Sequence, residues 1–464
     1  MIKILLLNLP SDIPLYRVLH RAKIGDPSAI WPSVDFIYIS GYLAQSGFEL
    51  EYKDFQYGEK KSMWAFLNSN KYDVIITTYS PFCESDDLSK LQRIKSEHPG
   101  TRIILLANHK DRLDKNHTET ILRNNPFIEA IVYDFAYNNV SLLIDNIKLD
   151  ELYNVFYLKG GKLAGSIKVM PDMLTIPVPR HELFVSDSYF HYDSAGGRLT
   201  NAMASFGCKK GCQFCWSNKL YPAVVTRGPQ NLADEMEYIV KCGIDEVYFH
   251  DYTFGYHPDK MLQFCKLIIE KNIKLRWFCS SRFDVMSEEL IRTMAKAGCR
   301  CIEFGLESGN YDVRKKYGKN VSDEKVREII NLCKSSKIHT SIFVILGLPE
   351  ENLQDMKRSV NFVASLKVNY VAFNVLWCEP YTGINESLKK DVTDIPVSQS
   401  MKRMNFTHPT VSNKQITMLY YKCFLRFYLS PGFIIHQLVS ISSFKRIKNL
   451  FYLASKILFK NKPK

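Results

Sequence analysis

Short apolar runs alternate with segments of helical spacing in two stretches of this chain. In the first, Ile2–Asn8, Glu49–Phe55, Asp73–Thr78, Arg102–Ala107 and Ala130–Tyr133 read as strands. Phe36–Ser46, Lys90–Glu97 and Thr118–Asn124 read as helices between them. A βαβ series of this kind predicts a doubly wound α/β domain over residues 1–150, with ligands at the carboxyl ends of its parallel strands. A connector over 151–199 follows, carrying Pro171, Pro177, Pro179 and Gly196-Gly197. In the second stretch, Asn201–Phe206, Glu246–Phe249, Arg276–Ser280, Cys301–Gly305, Ile342–Leu346 and Tyr370–Leu376 read as strands. Helices such as Asn231–Cys242, Pro258–Lys271, Ser287–Ala297, Asp323–Ser335 and Leu353–Leu366 separate them. Six βα repeats over 200–390 suit an open (β/α)6 partial TIM barrel, whose active site belongs at the C-terminal strand ends. Residues 391–464 read as a helical extension.

Composition narrows this picture. At 464 residues the chain needs two or three domains, and 46% hydrophobic with 23% charged residues is a globular balance. The opening Met1–Pro10 reads as a buried strand rather than a signal peptide, and no apolar run is long enough to span a bilayer. Twelve cysteines without a secretory signal point to a reducing, cytoplasmic compartment. The net charge of +13 is uneven. No Asp or Glu follows Asp394, and the last 70 residues hold twelve Lys or Arg, leaving +1 for the rest. Phe444–Phe459 has amphipathic spacing, with Ile447, Leu450, Phe451, Ala454, Ile457 and Leu458 on one side. A basic amphipathic segment at 440–464 suits peripheral contact with an anionic membrane, or packing on the barrel. Nucleic acid is disfavoured, because no recognition fold accompanies the charge.

The chemistry concentrates in Ala204–Trp216, where Cys208, Cys212 and Cys215 are spaced C-x3-C-x2-C. Three thiolates can hold three irons of a cubane cluster and leave the fourth open to a small molecule, whereas electron carriers usually supply four cysteines. The zinc pattern of two separated pairs is absent. Gly207 and Gly211 allow tight wrapping around inorganic sulfurs, and Lys209 and Lys210 offer positive charge. Cys279, Cys299, Cys301 and Cys378 read as core thiols. The histidines show no metal spacing, with His20, His109 and His250 the three to examine.

With Phe214 before its third cysteine, this loop resembles the radical S-adenosylmethionine (SAM) superfamily. Four downstream segments, each at a strand end, extend the likeness: Tyr248–Phe254, Glu303–Gly309, Ile345–Glu350 and Glu379–Gly383. The resemblance implies a 4Fe–4S cluster on Cys208, Cys212 and Cys215. It implies SAM contacts from Phe214, Asp251, Arg282, Glu307, Ser308, Ile345 and Gly347. It also implies reductive cleavage of SAM to a 5′-deoxyadenosyl radical, with a flavodoxin- or ferredoxin-type electron donor. Orientation and exclusion of water would be the protein's share. The usual Gly-Gly-Glu form of the second-strand motif is absent. Asp251 has a second reading as a turn cap, and Arg282 as half of a structural ion pair.

The parallel-sheet domain ahead of the barrel resembles the cobalamin-binding subclass. The resemblance implies cobalamin contacts from Asn8, Pro10, Tyr79 and Asn108, at the ends of the first, third and fourth strands. The Asp-x-His-x-x-Gly signature is absent, Asn8-Leu-Pro10 standing in its place. Ala107–Lys110 and Tyr133–Tyr137 replace the glycine-rich turns. Only Cys83 precedes Cys208, which argues against the methylthio-transferring relatives with a second cluster. The expected activity is methyl transfer to an unactivated carbon or phosphorus of a small or lipid-like molecule. The alternatives are a non-methylating radical rearrangement, oxidation or cyclisation, and an iron–sulfur electron carrier.

Overall fold

The computed structural model describes residues 1–11, 15–17, 23–24, 29–56, 60–145, 151–168, 173–221, 223–388, 392, 403–439 and 447. It divides into two compact units: residues 1–189 with 199–201 and 241–244, and the remainder. The amphipathic segment at 440–464 and His20 lie outside the described residues, Ile447 apart.

The first unit is built on a seven-stranded sheet. Its strands are β1 (Lys3–Asn8), β2 (Glu49–Asp54), β3 (Val74–Thr78), β4 (Arg102–Leu106), β5 (Ile128–Val132), β6 (Val155–Lys159) and β7 (Lys162–Ala164), in the order β2-β1-β3-β4-β5-β6-β7. The first five run parallel, with Leu5 opposite Ile75 and Ile76 opposite Ile104. Strands β1 and β3 are apolar almost throughout and buried throughout their cores, as a sheet covered on both faces requires. The order reverses between β1 and β3, which makes that crevice the topological switch point. One part was not expected. Residues 155–164, read as connector, form an antiparallel hairpin that extends the sheet. Gly160 and Gly161 supply its two positive-φ turn positions.

A second sheet has six strands in sequential order, of which all but the first lie in the second unit. Its strands are β8 (Leu199–Ala202), β9 (Glu246–Phe249), β10 (Arg276–Ser281), β11 (Cys299–Glu307), β12 (His339–Leu346) and β13 (Tyr370–Val375). From β9 to β13 all pairs are parallel. This is the partial barrel, with helices between successive strands. Residues 190–198, also read as connector, belong to this unit and supply part of its interior. The Tyr192 hydroxyl donates to Glu303 (2.8 Å), as do those of Tyr248 (2.7 Å) and Ser280 (2.8 Å). His191 stacks on Phe278 at 4.3 Å. Asp193 accepts from the Tyr370 hydroxyl and contacts His339 Nδ1, each at 2.7 Å. A carboxylate deep inside a barrel is tolerated because donors surround it. The extension forms helices at Asn413–Tyr428 and Pro431–Val439.

Candidate active site

The cysteine loop begins where the chain leaves the barrel sheet. The strand expected over Asn201–Phe206 is broken: β8 stops at Ala202, and Ser205–Phe206 pairs antiparallel with Val225–Arg227. Asp251 causes this break. Its carboxylate accepts from the Ala204 N–H (2.8 Å) and the Ser205 hydroxyl (2.5 Å), drawing that backbone off the ladder. Burial pushes the Asp251 carboxyl up to about 6, against the pull of those donors. Both oxygens are engaged with protein, so Asp251 braces the loop; it does not cap the following turn. Gly207 comes next at φ +86°, and a Cβ there would lie 2.7 Å from the Ala223 carbonyl. Only glycine fits.

The three cysteines follow this turn and influence one another electrostatically, although among the described residues no three ligating side chains form a ready metal cage. Cys208 is buried, with its sulfur 3.8 Å from the Thr253 hydroxyl, and Cys215 lies 3.0 Å from that of Ser217. Cys212 accepts from Arg282 Nη1 at 3.1 Å. Burial raises the Cys212 and Cys215 thiols above their ordinary value, Ser217 pulls Cys215 back down, and neighbouring cysteines raise each thiol a little further. Lys319 and Arg282 pull Cys212 back down. Arg282 also donates to the Gly318 carbonyl (2.9 Å) and pairs with Asp284. It thereby forms the structural ion pair that was its second reading, while its guanidinium also lies against the cysteine loop. Lys209 and Lys210 turn elsewhere, to the Asn218 carbonyl and to Asp284.

The fourth-strand motif completes the site. A register shift between Gly305 and Glu307 bends the end of β11, and Glu307 sits at φ +70°. Non-glycine residues in that region are strained, and such strain concentrates where a side chain must be aimed. The Glu307 carboxylate pairs with Lys319 Nζ at 3.0 Å, both nearly buried. A Cβ on Gly305 would lie 2.4 Å from either partner, so the glycine makes room for the pair. Ser308 donates to Glu351, whose other oxygen has no partner, and Gly309 N–H donates to Ser359 Oγ at 2.7 Å. Burial pushes the Glu351 carboxyl up to about 7.

Ile345 is buried at the end of β12. Gly347, at φ +93°, lies where a Cβ would meet Met404 Sδ at 2.8 Å. The Phe214 ring stands 6.1 Å from Tyr317, and the Gln213 carbonyl accepts from Ile384 N–H, tying in the loop after β13.

At the strand ends of the first unit, Asn8, Pro10, Tyr79 and Asn108 are all buried. Asn8 donates to Asp54 and Gln56 (3.1 Å each), leaving Asn8 Oδ1 and Gln56 Nε2 without partners. Tyr79 donates to Asp111 (2.5 Å) and lies 3.3 Å from His117 Nε2. Asn108 caps the helix His109–Leu113 through its oxygen, while its amide N–H faces the Tyr79 hydroxyl. Across the switch point, Arg17 forms a buried bidentate pair with Asp87 and donates to the Leu9 carbonyl (2.6 Å).

The sequence profile of the radical SAM superfamily matches residues 204–363. The barrel is a radical SAM domain. An uncharacterised methyltransferase of Pyrococcus horikoshii is 24% identical over 69% of this chain and 72% of its own length. Two solved structures share the fold. The radical SAM methyltransferase TsrM of Kitasatospora setae, with cobalamin and a 4Fe–4S cluster bound, superposes with a TM-score of 0.65. It is 14% identical and covers 90% of this chain and 81% of TsrM. The cobalamin-dependent radical SAM enzyme OxsB, with aqua-cobalamin and SAM bound, gives 0.68 at 15% identity, over 97% of this chain and 70% of OxsB.

The radical SAM domain implies a 4Fe–4S cluster and SAM. Two residues of the radical SAM domain escaped sequence reading. Lys319 lies in a loop twelve positions after Glu307, marked only by Gly318, whose Cβ would press on the Gly211 carbonyl at 3.0 Å. Glu351 follows the Ile345–Glu350 motif as one acid beside another.

Proposed function

We propose that this chain is a cobalamin-dependent radical SAM methyltransferase acting on an unactivated carbon or phosphorus of a small or lipid-like molecule. The observation that carries the reading is the setting of Arg282 against Cys212, with the buried Lys319–Glu307 pair beside it, at the C-terminal ends of the barrel strands. That donor set fits both groups. Cys208, Cys212 and Cys215 would hold the cluster. A buried cation–carboxylate–cation set of Arg282, Glu307 and Lys319 matches a zwitterion, such as the amino-acid end of SAM. In the first unit, among the described residues, Asn8 Oδ1 and Gln56 Nε2 are buried and unpartnered. A cofactor fringed with amides, as cobalamin is, fits such groups, because buried polar atoms require partners.

When bound, the cluster and SAM supply one-electron cleavage to a carbon radical, and cobalamin supplies methyl transfer. The chain's own share is geometric and electrostatic. Arg282 places positive charge against the Cys212 sulfur and fixes the Gly318 loop. Lys319 holds Glu307 in its strained orientation. Ser308 is aimed by Glu351, and Ile345 lines an apolar wall that excludes water. Ordering charges before reaction removes the cost of reorganising them during it.

Anaerobic reconstitution with dithionite and SAM is expected to yield 5′-deoxyadenosine, and Cys212→Ala to abolish it. Equal product from that variant would end the radical reading. Retention of cobalamin, read from its visible spectrum, tests the methyl-transfer reading separately. The buried Arg17–Asp87 pair across the switch point favours a second reading, a non-methylating radical enzyme. Protein that cleaves SAM but holds no cobalamin would select it.

A further inference from the structure

The helix Leu353–Leu366, the end of the barrel sheet and the two C-terminal helices enclose a cavity of about 490 Å³. Its walls include Val363, Phe373, Phe427 and Phe433, with Lys367 and Arg426 among the residues lining it. That volume lies within the range of small-molecule sites. The chemistry is asymmetric: an aliphatic and aromatic interior with two cations. Among the described residues neither cation has a carboxylate partner. Arg426 reaches only the Asn361 amide oxygen, at 3.3 Å, and no acid exists in the chain beyond Asp394 to meet it from that side. Lys367 stands just past the helix end at φ +51°. Both cations are solvent-exposed beside the apolar cavity, a setting that complements a ligand with an apolar tail and an anionic head.

The surroundings say where such a ligand comes from. Leu425, Leu429, Ile434 and Ile435 of the same two helices are 44–60% exposed. Exposed aliphatic side chains on the two helices that border the cavity mark an interaction surface. Positive charge is that surface's complement to an anionic bilayer, where each basic residue contributes to attraction. None of these residues belongs to the cysteine site.

We infer that this cavity binds an anionic membrane lipid, with one acyl chain against Val363, Phe373, Phe427 and Phe433 and its head group against Lys367 and Arg426. The lipid docks the C-terminal helices on the membrane surface. The inference stands whether or not the methyl-transfer reading holds, since its readout is binding.

The test titrates the full chain with a fluorescent sixteen-carbon fatty acid. Saturable one-to-one binding is expected, displaced by phosphatidylglycerol vesicles and not by phosphatidylcholine vesicles. Lys367→Gln combined with Arg426→Gln should weaken binding roughly tenfold. Val363→Trp, which fills the cavity, should abolish it. Both variants should keep the parent's melting temperature and SAM cleavage. Binding by Val363→Trp equal to the parent's overturns the site. If that variant does not fold, an eight-carbon acid that binds as tightly as the sixteen-carbon one overturns it instead. A probe that phosphatidylglycerol vesicles leave in place overturns the membrane source.

Discussion

Removing the Lys319 ammonium strands the Glu307 carboxylate in a buried site. Lys319→Met keeps the volume and deletes the charge, so the expected cost is about 3 kcal/mol in unfolding free energy, because an uncompensated buried ion is left behind. SAM affinity, measured by calorimetry, should fall in the same variant and recover in part in Lys319→Arg. Full SAM affinity in Lys319→Met would remove this residue from the site. Glu351 makes a different prediction, about pH. Its folded carboxyl titrates near 7, above its ordinary value of 4.5, so the folded state holds a proton that the unfolded state has released. Stability from this group is therefore complete below about 4.5 and lost as pH rises through 7, by up to about 3 kcal/mol. Glu351→Gln should flatten that dependence; an unchanged slope between pH 5 and 8 would contradict it. Cys208, Cys212, Cys215, Glu307 and Ser308 stand out in the sequence because their spacing or their place after an apolar strand is itself chemical. Lys319 and Glu351 do not, since only the folded loop shows which carboxylate or hydroxyl they meet.

At the scale of elements, the cysteine loop depends on one turn. Gly207→Ala would press a methyl group 2.7 Å from the Ala223 carbonyl at φ +86°. Displacing the loop should reduce iron bound after reconstitution to well under that of the parent protein, while far-ultraviolet dichroism stays unchanged. An iron content equal to the parent's would show that the loop tolerates the shift. The strand and helix series of both units was legible from apolar periodicity, because parallel strands covered on both faces are apolar almost throughout. Two elements were not. The split between β8 and Ser205–Phe206 depends on Asp251, which lies 46 residues from Ser205 in sequence. The hairpin of β6 and β7 did announce itself through Gly160-Gly161 between lysines, a two-residue turn signal hidden inside a stretch weighed for its prolines.

For the whole molecule, two compact units predict two calorimetric transitions on heating. If the first unit holds cobalamin, saturating it should raise one transition and leave the other in place. A hundredfold excess over Kd is worth about 2.7 kcal/mol to the unit that binds. A single transition, or a shift of both, would count against that assignment. Charge was legible at this scale too: the basic C-terminal segment stands apart from a nearly neutral body in sequence alone. Which of its residues meet a cavity was not legible, because Lys367 precedes that segment by many positions and joins Arg426 only through the fold.

The sheet of the first unit ends on one side in β2, whose sequence Glu-Leu-Glu-Tyr-Lys-Asp alternates charge with apolar residues. On the other it ends in β7, three residues long and opening on Lys162. Short or charged border strands make poor templates for a neighbouring chain's backbone. Newly made chains crowded together thus find no easy ladder along which to polymerise. The hairpin that looked like mere tether is, in that sense, a guard against aggregation during synthesis.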